Sequence, residues 1–423
     1  MVTTTSASPA PTEGPATLNV DALVDGTPAS RDRVVDFLRA ASIAVVVLWH
    51  WTFSITHWRG GSLRMPNPIG DVPGLWAATW LLQVMPLFFV VGGYANRAAW
   101  DGIRRHGGGP RQFWSKRFER LLRPVAVYVA CWAVVDLAWW ASGGRSVLDW
   151  GMVVFVPLWF LGVYVAVVTL TPWTTRAHDA HPWATLGLLA AGIAVADAVR
   201  LGVDIDPSGA VGYAGSALVW VFAHQLGYVW RDWSLPGTAV CRTVRWFGPR
   251  ASVGTVVTLG LGALVALTTV GPYSSSMVAV RGEGVSNMSP TSACIAALAL
   301  FQLGVVLTVA TPLRAWLQRR SVWKAVVAAN AVAMTVFCWH MTALVGFLLA
   351  YEAAGFTLGD QATAAWWLSR PLWIVGPGVL LAGLLAVFAR VELPHPARRP
   401  AAVTLRASER AAGGTRGERE RAA

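Results

Sequence analysis

Ten apolar runs of roughly 17–25 residues dominate the chain, and a run of that length can satisfy its own backbone inside a bilayer only as a helix. They fall near 34–57, 74–98, 122–142, 149–171, 182–202, 211–230, 251–270, 290–312, 324–350 and 366–390. The connectors between them carry turn chemistry, as in Gly107-Gly108-Gly109-Pro110, Thr171-Pro172, Asp204-Ile205-Asp206-Pro207 and Gly271-Pro272. Composition agrees: of 423 residues, 55% are hydrophobic and 13% charged, the latter about half the share of a soluble domain. A soluble enzyme, a disordered chain and a disulfide scaffold are excluded. The expected fold is all-α, a polytopic integral membrane protein of about ten transmembrane helices.

Lys and Arg orient it. With the N-terminus inside, 27 of the 34 basic residues fall in inner segments. Six fall outside (Arg59, Arg64, Arg145, Arg200, Arg281 and Arg370), and Arg39 lies within the first span. Both termini are therefore expected in the cytoplasm of a multi-pass protein of the cell (plasma) membrane. The same asymmetry explains the net charge of +12 without nucleic acid. Residues 1–30 are rich in Thr, Ser, Pro and Ala and lack a signal-peptide core, so a disordered cytoplasmic tail is expected. Residues 31–391 form the membrane domain. Residues 392–423 read as a disordered basic tail suited to anionic lipid headgroups. Cys131, Cys241, Cys294 and Cys338 have no metal-like spacing and read as small apolar fillers, and no metal is expected.

Ionisable residues inside a span cost several kcal/mol and are candidates for function. The first span carries the densest set, Asp36, Arg39 and His50. Arg39 and His50 are eleven residues apart, which returns them to one helix face about 16 Å apart along the axis. Asp36 can pair with Arg39 at i, i+3, and His57 continues the stripe. Taken alone, Arg39 also fits an interfacial anchor and His50 a hydrogen-bonded core histidine. Together, with His50 placed near mid-membrane, they suit chemistry: a neutral imidazole, with an ordinary pKa of about 6.5, can take a proton from a hydroxyl. A second cluster, Lys116-Arg117-Phe118-Glu119-Arg120-Leu121-Leu122-Arg123, opens the third span. It fits plain positive-inside charge, or guanidinium forks for a phosphorylated donor. Asp197 and Arg200 read as a local ion pair. Asp136 has no assignable partner. His224 and His340 either bridge helices or line a cavity. Walker, dinucleotide, HExxH and GxSxG motifs are absent.

These residues resemble a known family. Asp36-Phe37-Leu38-Arg39, ten residues and then His50 is similar to the Arg-x10-His signature of the acyltransferase-3 family of integral membrane O-acyltransferases. Met85-Pro86-Leu87-Phe88-Phe89-Val90-Val91-Gly92-Gly93-Tyr94 resembles its second-helix segment, with Gly92 where Ser is usual. Arg120-Leu121-Leu122-Arg123-Pro124 resembles its Arg-x-x-Arg element, and Leu158-Trp159-Phe160-Leu161 and Phe337-Cys338-Trp339-His340 are similar to weaker family stretches. The resemblance implies transfer of an acyl group, commonly acetyl, from cytoplasmic acyl-CoA to a hydroxyl. The acceptor would be a glycan, a lipid-linked saccharide or a small metabolite. It implies that His50 is catalytic, that Arg39 supports it, and that Arg120 and Arg123, with neighbouring Arg117, handle the CoA donor. A secondary transporter or flippase gated by Arg39 and His50 is the alternative, although no internal repeat is visible. A non-catalytic scaffold would leave the pair without a purpose.

Overall fold

The structure, a computed structural model, describes residues 20–28, 31–202 and 209–392. In chain order the elements are α1 (Val20–Asp25), α2 (Arg33–Phe53), the strands β1 (His57–Arg59) and β2 (Ser62–Arg64), α3 (Trp76–Leu82), α4 (Met85–Arg105) and α5 (Pro110–Ala141). Next come α6 (Val147–Trp150), α7 (Val156–Thr169), α8 (Thr171–Ala180), α9 (Pro182–Gly202), α10 (Ala210–Asp232), α11 (Ala239–Phe247) and α12 (Pro249–Thr269). The chain continues through α13 (Ala293–Trp316), α14 (Arg320–Ala331), α15 (Ala333–Ala353), α16 (Ala364–Leu368) and α17 (Arg370–Glu392). The all-α expectation holds, with one short antiparallel hairpin as the exception among the described residues.

Nine helical segments among the described residues are long and apolar enough to cross a membrane, against ten expected. The tenth expected span corresponds to α10. It has the length, but His224, Gln225, Arg231 and Asp232 lower its hydropathy, and protein rather than lipid surrounds it. α4 holds it at backbone distance: a Cβ on Gly93 would stand 1.9 Å from the His224 carbonyl oxygen, and one on Gly227 2.1 Å from that of Val90. Small residues at such a crossing let two helices approach closely.

Pro86, which lacks an N–H and crowds the carbonyl four residues back, ends α3 at Leu82 and restarts the helix as α4. The break frees carbonyls at membrane depth, and Gln302 of α13 satisfies two of them, Trp80 O at 3.3 Å and Gln83 O at 2.9 Å. α5 is 32 residues long, roughly 48 Å. It overruns a hydrocarbon core of about 30 Å, so one end projects as a continuous helix.

Several boundaries correct the expectations. The first span ends at Phe53, which leaves His57 on β1 and off the helical stripe, and His50 lies in the last turn of α2. The run 324–350 divides between α14 and α15 at Val332, where the Glu392 carboxylate accepts from Met334 N (3.0 Å) and Thr335 N (2.8 Å) and caps the new helix. Glu392 is thus the end of α17 and not the start of a tail, while residues 393–423 lie outside the described residues. The expected N-terminal tail lies mostly outside them too, but Val20–Asp25 is helical. Asp21 and Asp25 pair there with Arg320 and Lys324 of α14. These cations hold both carboxyls below their ordinary pKa of 3.8, Lys324 acting chiefly on Asp21 and Arg320 on Asp25.

Candidate active site

His50 Nδ1 stands 3.1 Å from His340 Nε2, with the rings near-parallel at 5.2 Å. His340 Nδ1 is 2.7 Å from the Phe337 carbonyl, a group that only accepts. That nitrogen must therefore carry the proton, which leaves His340 Nε2 as an acceptor and makes His50 Nδ1–H its donor. The unprotonated nitrogen of His50 is then Nε2. His340 is fully buried, and Trp51 Nε1 donates to its carbonyl at 3.1 Å, so the pair is held from both helices.

His50 lines a cavity of about 200 Å³ with mostly apolar walls. Its lining draws on each of the motif stretches read at or beyond the second span, except the arginine element: Met85 and Phe88 of α4, Trp159 and Phe160 of α7, and Phe337 of α15. The Leu158–Leu161 and Phe337–His340 stretches, weak signals in sequence, thus supply the walls and the partner of His50. Ser42 also lines the cavity, and its buried hydroxyl has no hydrogen-bond partner. It lies about 12 Å from His50 along the helix axis, too far to be activated by it. Sequence reasoning passed over Ser42, a single small polar residue with no charge to mark it.

Arg39 sits elsewhere. It donates to Asp36 at 2.6 Å and to Asn330 Oδ1 of α14 at 2.7 Å, while Asp36 also binds Arg31. Asn330 in turn donates to the Asp36 carbonyl at 2.9 Å. The Asp36 carboxylate holds the Arg31 guanidinium charged. Arg120 is close enough to Arg39 and Arg117 to repel both. The helix has begun ten residues before Arg120, so Arg120 and Arg123 share a face of α5 as their spacing requires. Arg120 and Arg123 are both exposed, and neither has a hydrogen-bond or ion-pair partner among the described residues, while Arg117 donates to the Ala95 carbonyl at 2.7 Å. The structure therefore gathers Arg39, Arg117 and Arg120 at one end of the helices, with the Asp36 carboxylate paired to Arg39, and puts His50 with His340 toward the other.

Asp136, Asp197 and His224 serve the architecture. Asp136 accepts from Ser146 Oγ and from Val147 N at 2.6 Å, capping α6. Asp197 pairs with Arg200 at 3.4 Å and also accepts from Tyr273 and Ala293 N. His224 Nε2 meets Asn96 Nδ2 at 3.1 Å. The departure at Gly92 has a steric reason, since a Cβ there would stand 2.8 Å from the Tyr164 ring. A partly buried network of Arg97, Asp101, Asp179, His178 and Asp232 was not foreseen. Its one sequence signal is the i, i+4 spacing of Arg97 and Asp101.

Residues 32–389, nearly the whole chain, match the family model of an acyltransferase domain, that of the acyltransferase-3 family. No curated protein and no solved structure matches the chain.

Proposed function

Because the chain belongs to the acyltransferase-3 family of integral membrane acyltransferases, we propose that it moves an acyl group, acetyl in the first instance, from cytoplasmic acyl-CoA to an acceptor hydroxyl. The acceptor is a glycan, a lipid-linked saccharide or a small metabolite. His50 is the general base. Its Nε2 takes the hydroxyl proton as the oxygen attacks the thioester carbonyl. Collapse of the tetrahedral intermediate breaks the C–S bond, and the departing thiolate recovers the proton from His50. Among the described residues no Ser or Cys is hydrogen-bonded to His50, which favours this direct route over an acyl-enzyme. His340 is a positioning residue that fixes the His50 tautomer.

The observation that carries the reading is the contact of His50 Nδ1 with His340 Nε2, its other nitrogen turned to the Phe337 carbonyl, beside a cavity walled by the family's motif residues; for a neutral pair this arrangement leaves His50 Nε2 free to accept a proton. Arg120 and Arg123, neither of them paired among the described residues, suit the phosphates of the donor, with Arg117 and Arg39 alongside. In this arrangement the chain spans the plasma membrane ten times with both termini in the cytoplasm. Donor phosphates stay at the inner mouth, and the thioester reaches inward along α2.

Calorimetric titration of detergent-purified protein with acetyl-CoA tests the donor half. Binding should weaken about tenfold in both Arg120→Ala and Arg123→Ala. A folded wild type that binds no acyl-CoA returns the weight to a transporter.

A further inference from the structure

The outer face of a membrane protein is poor in arginine, so the six arginines assigned to it need individual reasons. Three have them: Arg145 donates to the Gly61 carbonyl at 3.3 Å, Arg200 pairs with Asp197, and Arg370 donates to the Trp366 carbonyl between the rings of Trp366 and Trp373. The remaining three, Arg59, Arg64 and Arg281, have no hydrogen-bond or ion-pair partner among the described residues, and all three line one cavity of about 590 Å³.

The hairpin explains the convergence. Gly60 and Gly61, at φ of 58° and 72°, form the two-residue turn that joins β1 to β2, a backbone that side-chain-bearing residues adopt at a cost. The register pairs His57 with Arg64, Trp58 with Leu63 and Arg59 with Ser62. Side chains alternate along each strand and directly paired residues share a face. His57, Arg59, Ser62 and Arg64 therefore stand on one side of the ribbon, and Trp58 and Leu63 on the other. Leu63 is buried, and Trp58 Nε1 donates to Glu352 at 2.9 Å, which anchors the apolar side. Asn67 Nδ2, 2.8 Å from the Ala279 carbonyl, ties the segment after β2 to the loop that carries Arg281. Glu283, two residues on, makes no ion pair with Arg281. His57 Nδ1 donates to the Ile55 carbonyl at 3.3 Å, which leaves its Nε2 for a ligand.

We infer that this cavity binds a phosphate group, carried either by the acyl acceptor or by a lipid headgroup at the membrane surface. Three guanidiniums supply forked donors for its oxygens, and no carboxylate among the described residues lines the cavity. As an acceptor site the inference rests on the acyltransferase reading, because the cavity lies at the His50 end of α2, just beyond its last turn. As an anion site it stands without that reading.

The test uses full-length protein in phosphatidylcholine nanodiscs, in an Arg120→Gln/Arg123→Gln background that removes the two arginines proposed to hold the donor phosphates, titrated with inorganic phosphate by calorimetry. Adding Arg59→Gln/Arg64→Gln/Arg281→Gln should weaken phosphate binding at least tenfold with unfolding temperature unchanged. Arg281→Gln alone, in a different loop, should weaken it severalfold. Equal binding with and without the three outer substitutions, or no binding in the parent, overturns the inference. Nanodiscs containing phosphatidylglycerol separate the sources: suppression of phosphate binding assigns the site to a headgroup, and undiminished binding assigns it to the acceptor. Acetyl-CoA binding is followed in parallel on protein with Arg120 and Arg123 intact. Its absence would end the acyltransferase reading while arginine-dependent phosphate binding kept the anion site.

Discussion

At the N-terminal end of α2, Asp36 is shared by Arg31 and Arg39, and Arg39 reaches on to Asn330. Beyond its C-terminal end, Arg59, Arg64 and Arg281 face one cavity with no carboxylate among them. The difference separates two uses of the same side chain. A guanidinium whose donors are already bonded holds helices together, here α2 to α14, and one left without partners is available to a ligand. Arg120 and Arg123 belong with the second kind, and Arg39 has a share in both.

The contrast breaks most visibly at Asp36, which is buried between two guanidiniums. Asp36→Ala leaves Arg39 charged and unpaired and should cost on the order of 3 kcal/mol of stability, measured as a lowered unfolding midpoint in detergent. An unchanged midpoint would show that the inner network is not structural. His340 comes next. His340→Leu frees the His50 tautomer and should reduce acyl transfer about 10- to 100-fold, by analogy with partners that orient a histidine ligand. His340→Gln, whose carbonyl oxygen can accept from His50 Nδ1–H, should recover part of the loss. Equal activities in the Leu and Gln variants would make His340 mere packing.

At the donor mouth, Arg120→Ala should raise the acyl-CoA KM about tenfold with kcat little changed. A change confined to acceptor kinetics would contradict that role. The smallest effect belongs to α1. The carboxyls of Asp21 and Asp25 titrate below 3.8 because Lys324 and Arg320 bind their charged forms. Folded-state values lowered in this way contribute stability above the unfolded value, which is lost as pH falls through the folded ones. Hydrogen exchange across Val20–Asp25 should therefore be slow near neutrality and accelerate, after correction for the intrinsic rate, only below about pH 4. An α1 already open at pH 6 would refute the contact.

Much of this was legible in the sequence. Apolar run length located nearly every long helix, and the spacing of Arg39 and His50 on one face holds in α2. Span boundaries were less legible where a few atoms decide them. Pro86 divides one apolar run into α3 and α4, and Glu392, from the far end of the chain, caps α15 inside another. α10 reads as an ordinary span, yet its polar residues make sense only inside the bundle. His340 stood out as polar at membrane depth, but its pairing with His50 across 290 residues is tertiary information. The hairpin left almost no signal, because six strand residues and two glycines vanish between longer helices. Its arginines were counted as topology, and only the strand register shows that they converge.

The most direct measurement follows labelled acetyl groups from acetyl-CoA into membrane-bound or soluble acceptor, with free CoA quantified alongside, for wild type and His50→Ala at equal folded amounts. Wild type should transfer the label and release CoA in step, and His50→Ala should lose both by about 10²-fold or more. Transfer by His50→Ala at the wild-type rate would contradict the general-base role of His50.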